Sequence, residues 1–216
     1  MAFDPQQIAH GKKLRKAVAA KTIGNDVGDD DIPEVCRDIL FRRAMQQLAA
    51  IEIREEQSSA MVLDVVVETL RSEGIVVAGY LQRELLRQGD TTSDTVLEDI
   101  ETGEQFVIMQ ALGSSATSCR LDTQALADIA GRALGRLEQP ADILVLNRFG
   151  KAEAEGHGLR AVLETAIKQG IPVLTSVGAS YLEDWRNYVG DLAVNLPPDV
   201  SQVLAWSRSI MKMAPH

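Results

Sequence analysis

Residues 147–158 hold the densest group of side chains able to do chemistry in the sequence. The candidate ligand-binding residues here are Asn147, Arg148 and Lys151, and the two cations supply positive charge that suits an anion. Glu153 or Glu155 would orient those cations or, in an enzyme, position a water molecule for attack on a phosphoryl group. The glycines of this segment allow the backbone to approach a ligand closely. We predict a ligand-binding loop here, and an ion-pair network that ties the loop to its own helix is the structural alternative.

The segment 113–120 is a second candidate for anion binding. It combines backbone amides, hydroxyl groups and a guanidinium just before the start of a predicted helix, and these are the donors that hold oxyanions in proteins. The candidate ligand-binding residues are Gly113, Ser114, Ser115, Thr117, Ser118, Cys119 and Arg120. A polar surface loop with a buried structural thiol accounts for the same composition. Arg83, at the end of a predicted strand, either faces the site or pairs with Glu84.

Several common sites are missing from the sequence. The first predicted strand is followed by Arg-Glu-Glu-Gln-Ser-Ser at 54–59, where a phosphate-binding loop would need GxxxxGK[ST] or GxGxxG. Asn147 ends a later strand, and its amide binds Mg²⁺ less well than a carboxylate because hard cations prefer charged oxygen ligands. Two cysteines and three scattered histidines form no metal-binding pattern, so we predict no metal site.

Composition limits the partners of the protein. The chain has 216 residues, of which 45% are hydrophobic, and this is enough for one sizeable core. Asp and Glu number 31 against 22 Lys and Arg, giving a formal net charge of -9. So acidic a chain lacks the basic surface that nucleic-acid binding needs, and no apolar run reaches the length of about 18 residues expected of a membrane span. We expect a cytoplasmic protein that binds neither nucleic acid nor membrane.

The candidate residues lie in a chain that alternates strands and helices. The apolar runs predict strands at 48–53, 75–81, 142–147, 171–175 and 192–196, and a hairpin at 95–109. Helical periodicity predicts helices at 58–73, 122–137, 158–169, 180–189 and 198–213. This order predicts a three-layer α/β domain with a mostly parallel, P-loop- or Rossmann-like sheet and an inserted hairpin. Ligands of such sheets bind beyond the carboxyl ends of the strands, where the candidate loops fall.

The first part of the chain differs from the rest. We divide the sequence into a basic arm with a helical extension at 1–47 and a single α/β domain at 48–216. Residues 33–47 have apolar positions at helical spacing after a proline in the first turn. The extension is either a solvated terminus or a contact with a protein partner or a second subunit.

Five segments together resemble an uncharacterised bacterial domain family. They are Gly-Tyr-Leu-Gln-Arg at 79–83, Leu-Glu-Asp-Ile-Glu-Thr-Gly at 97–103, Ser-Cys-Arg-Leu-Asp at 118–122, Asn-Arg-Phe-Gly-Lys-Ala-Glu-Ala-Glu-Gly at 147–156 and Gly-Ile-Pro-Val-Leu-Thr at 170–175. Members of that family are often encoded beside molybdate-transport genes. The family is similar, at a distance, to small nucleoside-triphosphatases of the P-loop class. In that class an acidic pair occupies the position of Asn147-Arg148, so this sequence departs from the pattern there and at the phosphate-binding loop.

These observations lead to one main hypothesis and two alternatives. We expect a protein that binds a small anion or a phosphorylated ligand; the resemblance makes molybdate a candidate beside phosphate and sulfate, with a nucleotide and Mg²⁺ as the less favoured ligand. The first alternative is a nucleoside phosphohydrolase, and the second is an assembly or regulatory protein that acts through 1–47. The sequence leaves open whether the protein is an enzyme.

Overall fold

A computed structural model describes residues 47–53, 56–86, 93–110 and 120–211. They form one sheet whose strands are β1 (Leu48–Ile53), β2 (Val77–Leu86), β3 (Ser93–Asp99), β4 (Gln105–Gln110), β5 (Arg120–Leu121), β6 (Ile143–Phe149), β7 (Val173–Gly178) and β8 (Ala193–Leu196). The helices are α1 (Glu56–Ser72), α2 (Thr123–Arg136), α3 (Lys151–Ala154), α4 (Arg160–Gln169), α5 (Leu182–Val189) and α6 (Val200–Met211). The predicted α/β class is confirmed. Residues 1–46 of the predicted extension at 1–47 and the loop 111–119 lie outside the described residues.

The eight strands are ordered β5-β4-β3-β2-β6-β7-β1-β8. The strands β2, β6, β7, β1 and β8 run parallel, and at least one helix lies between consecutive members of this set along the chain. The strands β3, β4 and β5 extend the sheet in antiparallel fashion from the edge of β2. The parallel part therefore carries the crossovers, and the predicted hairpin is the start of an antiparallel flank.

Each face of the sheet is covered by its own helices. One core joins the sheet to α1 and α6, with Leu63, Val66 and Leu70 among its fully buried side chains. The other joins it to α2, α4 and α5, where Trp185 and Tyr188 are the largest buried residues. The chain leaves β1 for α1 on the first face and leaves the neighbouring β7 for α5 on the second. The carboxyl ends of β1 and β7 thus border the crevice in which open α/β sheets bind ligands.

The structure differs from the sequence prediction mainly at β2. We predicted a strand ending at Leu81, but β2 continues to Leu86 and pairs along its whole extension with β3. The extension begins with Gln82 and Arg83, so no apolar run marks it, and antiparallel pairing with one open face supports such polar residues. The two-residue strand β5 and the four-residue helix α3 are also absent from the prediction, since neither is long enough to show a periodicity.

No helix in the part of the chain that the structure describes has the length and apolar character needed to cross a membrane.

Tyr80 makes the free energy of unfolding depend on pH in the alkaline range. Burial of its hydroxyl, with the negative charge of Asp99 as a second cause, raises the pKa of Tyr80 to about 12. An unfolded tyrosine loses its proton near pH 10, so between the two values only the folded chain keeps it, and stability falls as the pH rises through that window. We expect Tyr80→Phe, which keeps the edge-on ring contact with Phe106, to reduce this fall. Melting temperatures of both proteins at a series of pH values from about 9 to 11.5 test this.

Tyr188 also contributes to the loss of stability at alkaline pH. Burial also raises the pKa of Tyr188, so the Tyr80→Phe protein keeps part of the alkaline loss. A melting temperature that falls equally in both proteins above pH 10 would contradict the contribution of Tyr80.

Candidate functional site

The candidate site lies at the carboxyl edge of the parallel strands, where β6 and β7 end beside β1. Asn147 follows Leu146 on β6, and Ser176 follows Thr175 on β7, with Leu146 and Thr175 at the same level of the sheet. Ser176 in turn lies level with Ile51 of β1. The two polar residues are therefore at adjacent strand ends, next to the point at which the chain enters α1.

A bulge in β6 sets the direction of this segment. Leu146 pairs with Thr175 and Phe149 with Val177, so three steps along β6 match two along β7. Such a bulge adds one unpaired residue and changes the direction of the side chains around it. Asn147 and Arg148 occupy the bulge, and Phe149 returns to the core against Trp185 at a ring distance of 5.1 Å.

Asn147 and Ser176 form a buried polar pair. Asn147 is 5% exposed and Ser176 is 0% exposed, and the Ser176 hydroxyl donates a hydrogen bond of 2.5 Å to Oδ1 of Asn147. Among the described residues, the Nδ2 group of Asn147 has no hydrogen-bond partner. Nδ2 is not one of the fully buried atoms, so it stays accessible from the crevice. The pair therefore offers a donor, at the crevice, for an acceptor that the described chain does not supply.

Ser176 is the site residue that sequence reasoning missed. It stands in Ser-Val-Gly-Ala-Ser at 176–180, whose small residues are compatible with a ligand wall and equally with a loop and a helix cap, so Ser176 was not among the predicted site residues. Its pairing with Asn147 depends on the register of β6 against β7, and no local pattern reports that register.

Arg83 is held by two carboxylates on the α1 side of the sheet. Its Nη1 lies 2.5 Å from Asp64 of α1, and its Nη2 lies 3.3 Å from Glu98 of β3. Burial alone would lower the pKa of Arg83, but the hydrogen bonds and charges of both carboxylates raise it above its usual value. Arg83 thus joins α1 to the antiparallel flank, and it pairs with residues distant in sequence and not with the neighbouring Glu84.

Glu153 braces the loop that follows β6. It is 8% exposed, and its two carboxylate oxygens accept hydrogen bonds from the backbone amides of Gly150 (3.0 Å) and Leu159 (2.9 Å). Gly158 makes room for it, because a Cβ at Gly158 would lie 2.2 Å from Oε1 of Glu153. With both oxygens bonded to amides, this carboxylate fixes the shape of the loop.

The other charged residues of this loop are closer to solvent. Lys151 is on the surface of α3 and lies 3.8 Å from Glu155 one turn later, a distance and spacing typical of a weak helical ion pair. Arg148 is partly buried in the bulge beside Asn147. Of the predicted cations, Arg148 and Lys151 are therefore those that the structure places in the loop next to the buried pair.

Arg120 lies at the far edge of the sheet. Its strand β5 is separated from β6 by β4, β3 and β2, which corresponds to roughly 19 Å at the usual strand spacing. The backbone of Arg120 pairs with Gln110, and its side chain is not described. The predicted residues Gly113, Ser114, Ser115, Thr117, Ser118 and Cys119 lie outside the described residues, so their part in the site stays a prediction.

Comparison with known proteins gives one family and two curated relatives. Residues 48–206 match a family model described as "Protein of unknown function (DUF2478)". The chain is 33% identical over 162 residues to a protein of Bradyrhizobium diazoefficiens named "Molybdenum import ATP-binding protein ModC 2", a match that covers 75% of this chain and 18% of that protein. It is 25% identical over 111 residues to "Nucleoside-triphosphatase THEP1" of Picrophilus torridus, covering 50% of this chain and 62% of the relative. No solved structure matches.

The chain thus spans less than a fifth of the first relative and about three fifths of the second. The matches confirm the predicted likeness to an uncharacterised family and to P-loop proteins.

Proposed function

The chain belongs to the family described as "Protein of unknown function (DUF2478)", and we propose that it binds a small oxyanion or a phosphorylated ligand at the carboxyl edge of its parallel strands. The binding crevice is bordered by β1 on one side and by β6 and β7 on the other. Asn147 donates to the ligand, and Arg148 and Lys151 supply positive charge.

The observation that carries this proposal is the unpartnered amide of Asn147. This donor has no partner among the described residues and is not fully buried, so an acceptor in the crevice can reach it, and oxyanions are strong acceptors. The donor lies on β6, one strand away from the switch point between β7 and β1, and its partner Ser176 lies on β7 at that point, which is the usual ligand position in this class of fold. Because the whole chain is acidic, the ligand would meet a local positive region within a negative surface.

Molybdate, phosphate and sulfate are the first ligands to test. Each is a tetrahedral oxyanion whose oxygens accept several hydrogen bonds. Molybdate is included because one relative is named a molybdenum import protein, although the match covers only 18% of it.

A nucleoside phosphohydrolase is the second candidate function. The likeness to a nucleoside-triphosphatase supports it. The brace formed by Glu153 weakens it, because a carboxylate bonded to two amides has little capacity left to orient an attacking water. An assembly role through residues 1–47 is a further proposal. These residues lie almost wholly outside the described part of the chain.

Thermal denaturation in the presence of each anion tests the binding function. A ligand at a hundred times its dissociation constant stabilises a protein by about 2.7 kcal/mol, so the melting temperature should rise by several degrees. We expect the rise to be lost in Asn147→Leu and reduced in Arg148→Ala. Arg132→Ala is the matched control, since Arg132 is exposed and pairs with Glu104 far from the crevice. A rise that survives Asn147→Leu, or none with any anion or nucleotide, would refute the proposed site.

A further inference from the structure

The likeness to a nucleoside-triphosphatase implies Mg²⁺ as a companion of the ligand, and the side chains at the crevice can be tested for their fit to that cation. Mg²⁺ demands octahedral oxygen ligands and is usually held by one or two carboxylates together with phosphate oxygens. A fitting site would need at least one carboxylate directed at the crevice.

The residue at the end of β6 does not provide one. Asn147 is an amide, it carries no charge, and its Oδ1 already accepts the hydrogen bond from Ser176. The atom it leaves over is the Nδ2 donor, which repels a cation and attracts an anion. The pair is therefore suited to an anion and unsuited to Mg²⁺.

Three carboxylates near this edge, one on α1 and two on the sheet, are already engaged, whereas Glu183 and Asp184 in the first turn of α5 lie beyond the strand ends and form no ion pair with the described residues. Asp64 and Glu98 both bind Arg83, and Glu52 at the end of β1 accepts a hydrogen bond of 3.1 Å from Arg186. Releasing any of them to a metal would leave an arginine without its partner. Since Arg83 is only 27% exposed at its side chain, that loss would be felt most at Arg83.

In the loop after β6, one carboxylate is fully engaged and the other is held only by a weak, exposed ion pair. Both oxygens of Glu153 bind backbone amides, and Glu155 pairs with Lys151. Across the described ranges of the chain, no group of three or more His, Cys, Asp or Glu side chains is placed to hold a metal ion.

From this donor set we infer that the protein binds its ligand as a free anion, without a divalent cation, and that Asn147 is the residue that excludes the cation. The inference rests on the proposed function and adds that the ligand binds without a metal ion. Because the side chain at the end of β6 is a neutral amide and not a carboxylate, we expect no Mg²⁺-dependent nucleotide chemistry at this site.

Isothermal titration of the full chain with sodium molybdate, inorganic phosphate and GTP, each in excess EDTA and again in Mg²⁺, tests the inference. We expect the affinity for the probe that binds to change by less than about twofold between the two buffers. In Asn147→Asp, a carboxylate would meet the anion directly, so affinity in EDTA should fall by about tenfold or more. Mg²⁺ should restore part of that loss in the variant alone. Asn147→Ala is the control that removes the donor without adding a charge, and it should lose affinity equally in both buffers.

A further double variant tests the source of any cation dependence. Glu55 lies outside the described residues and the side chain of Glu56 is not described, so Glu55→Gln/Glu56→Gln is titrated in parallel. If the wild-type protein binds in Mg²⁺ but not in EDTA, the inference is overturned while the proposed function stands. If the double variant then also fails to bind in Mg²⁺, the cation is assigned to Glu55 and Glu56. Absence of binding in both buffers would instead overturn the proposed function, and the inference with it.

Discussion

Replacing Gly79 by alanine should destabilise the protein by at least about 4 kcal/mol, which corresponds to a fall in melting temperature of about 8–16 °C for a chain of this size. Gly79, the third residue of β2, has φ +123°, a backbone conformation that residues with a side chain rarely adopt. A Cβ there would lie 1.9 Å from the carbonyl oxygen of Val145 and 2.8 Å from its carbonyl carbon. Val145 is fully buried in the next strand, so its backbone cannot give way without disturbing β6 and the pairing beneath Asn147.

Two glycines serve as controls for this substitution. Gly74 has a similar positive φ of +82°, but nothing lies within 4 Å of its added Cβ, so Gly74→Ala should cost only the conformational strain of about 1–2 kcal/mol. Gly131 has open space and lies within α2, where alanine is favoured over glycine by about 1 kcal/mol, so Gly131→Ala should stabilise. Chemical denaturation of the three variants measures the differences. Equal losses of stability in Gly79→Ala and Gly74→Ala would show that the backbone of Val145 does not lie as close to Gly79 as the structure indicates.

Replacing Glu153 by alanine should cost about 2–5 kcal/mol, because it leaves two buried backbone amides without acceptors. Glu153→Gln should cost about 1–3 kcal/mol, since its amide offers one acceptor oxygen and turns its NH2 group toward the second donor. A residue that orients a catalytic water would behave differently: the Gln variant would keep its stability and lose activity. Urea denaturation, combined with an assay of phosphate release from nucleotides, distinguishes the two roles.

The control for Glu153 lies two residues away. Glu155 is 58% exposed at its side chain and pairs only loosely with Lys151, so Glu155→Gln should change stability by less than about 0.5 kcal/mol. Gly158→Ala adds a second check, because its Cβ would collide with the Glu153 carboxylate and most of that collision vanishes in Glu153→Ala. The double variant should therefore cost less than the sum of the single ones. Strict additivity would argue against the brace.

The parallel strands were predictable because they are buried on both faces and therefore appear as continuous apolar runs. Residues 48–53 were predicted with the bounds that the structure gives, and 143–146 and 173–175 fall within predicted strands. The extension of β2 was not predictable in this way. Its residues from Gln82 onward are polar or exposed, and what makes them a strand is the partner β3, which the chain reaches only later.

The candidate site was predictable only in part, for a similar reason. Asn147, Arg148 and Lys151 follow an apolar strand and were found by position alone. The roles of Glu153 and Arg83 depend on contacts with Leu159 and Asp64, which spacing along the chain does not reveal. Ser176 becomes informative only when β7 is set beside β6 in register. Local patterns thus identify where a loop must lie, while the hydrogen bonds that decide its chemistry arise from tertiary contacts.

The separate cores on the two faces of the sheet give the protein a pair of built-in optical probes. The chain has two tryptophans, and the sheet lies between them. Trp185 is a residue of α5 and packs on one face of the sheet, and Trp206 is a residue of α6 and packs on the other. Trp185 is fully buried, its indole N–H has no partner among the described residues, and its ring touches Phe149 at the end of the bulge. Its emission therefore responds to movement of the segment around Asn147, whereas that of Trp206 follows the packing of α6 against α1. Single-tryptophan proteins would let the ligand crevice and the opposite layer be observed independently in one molecule.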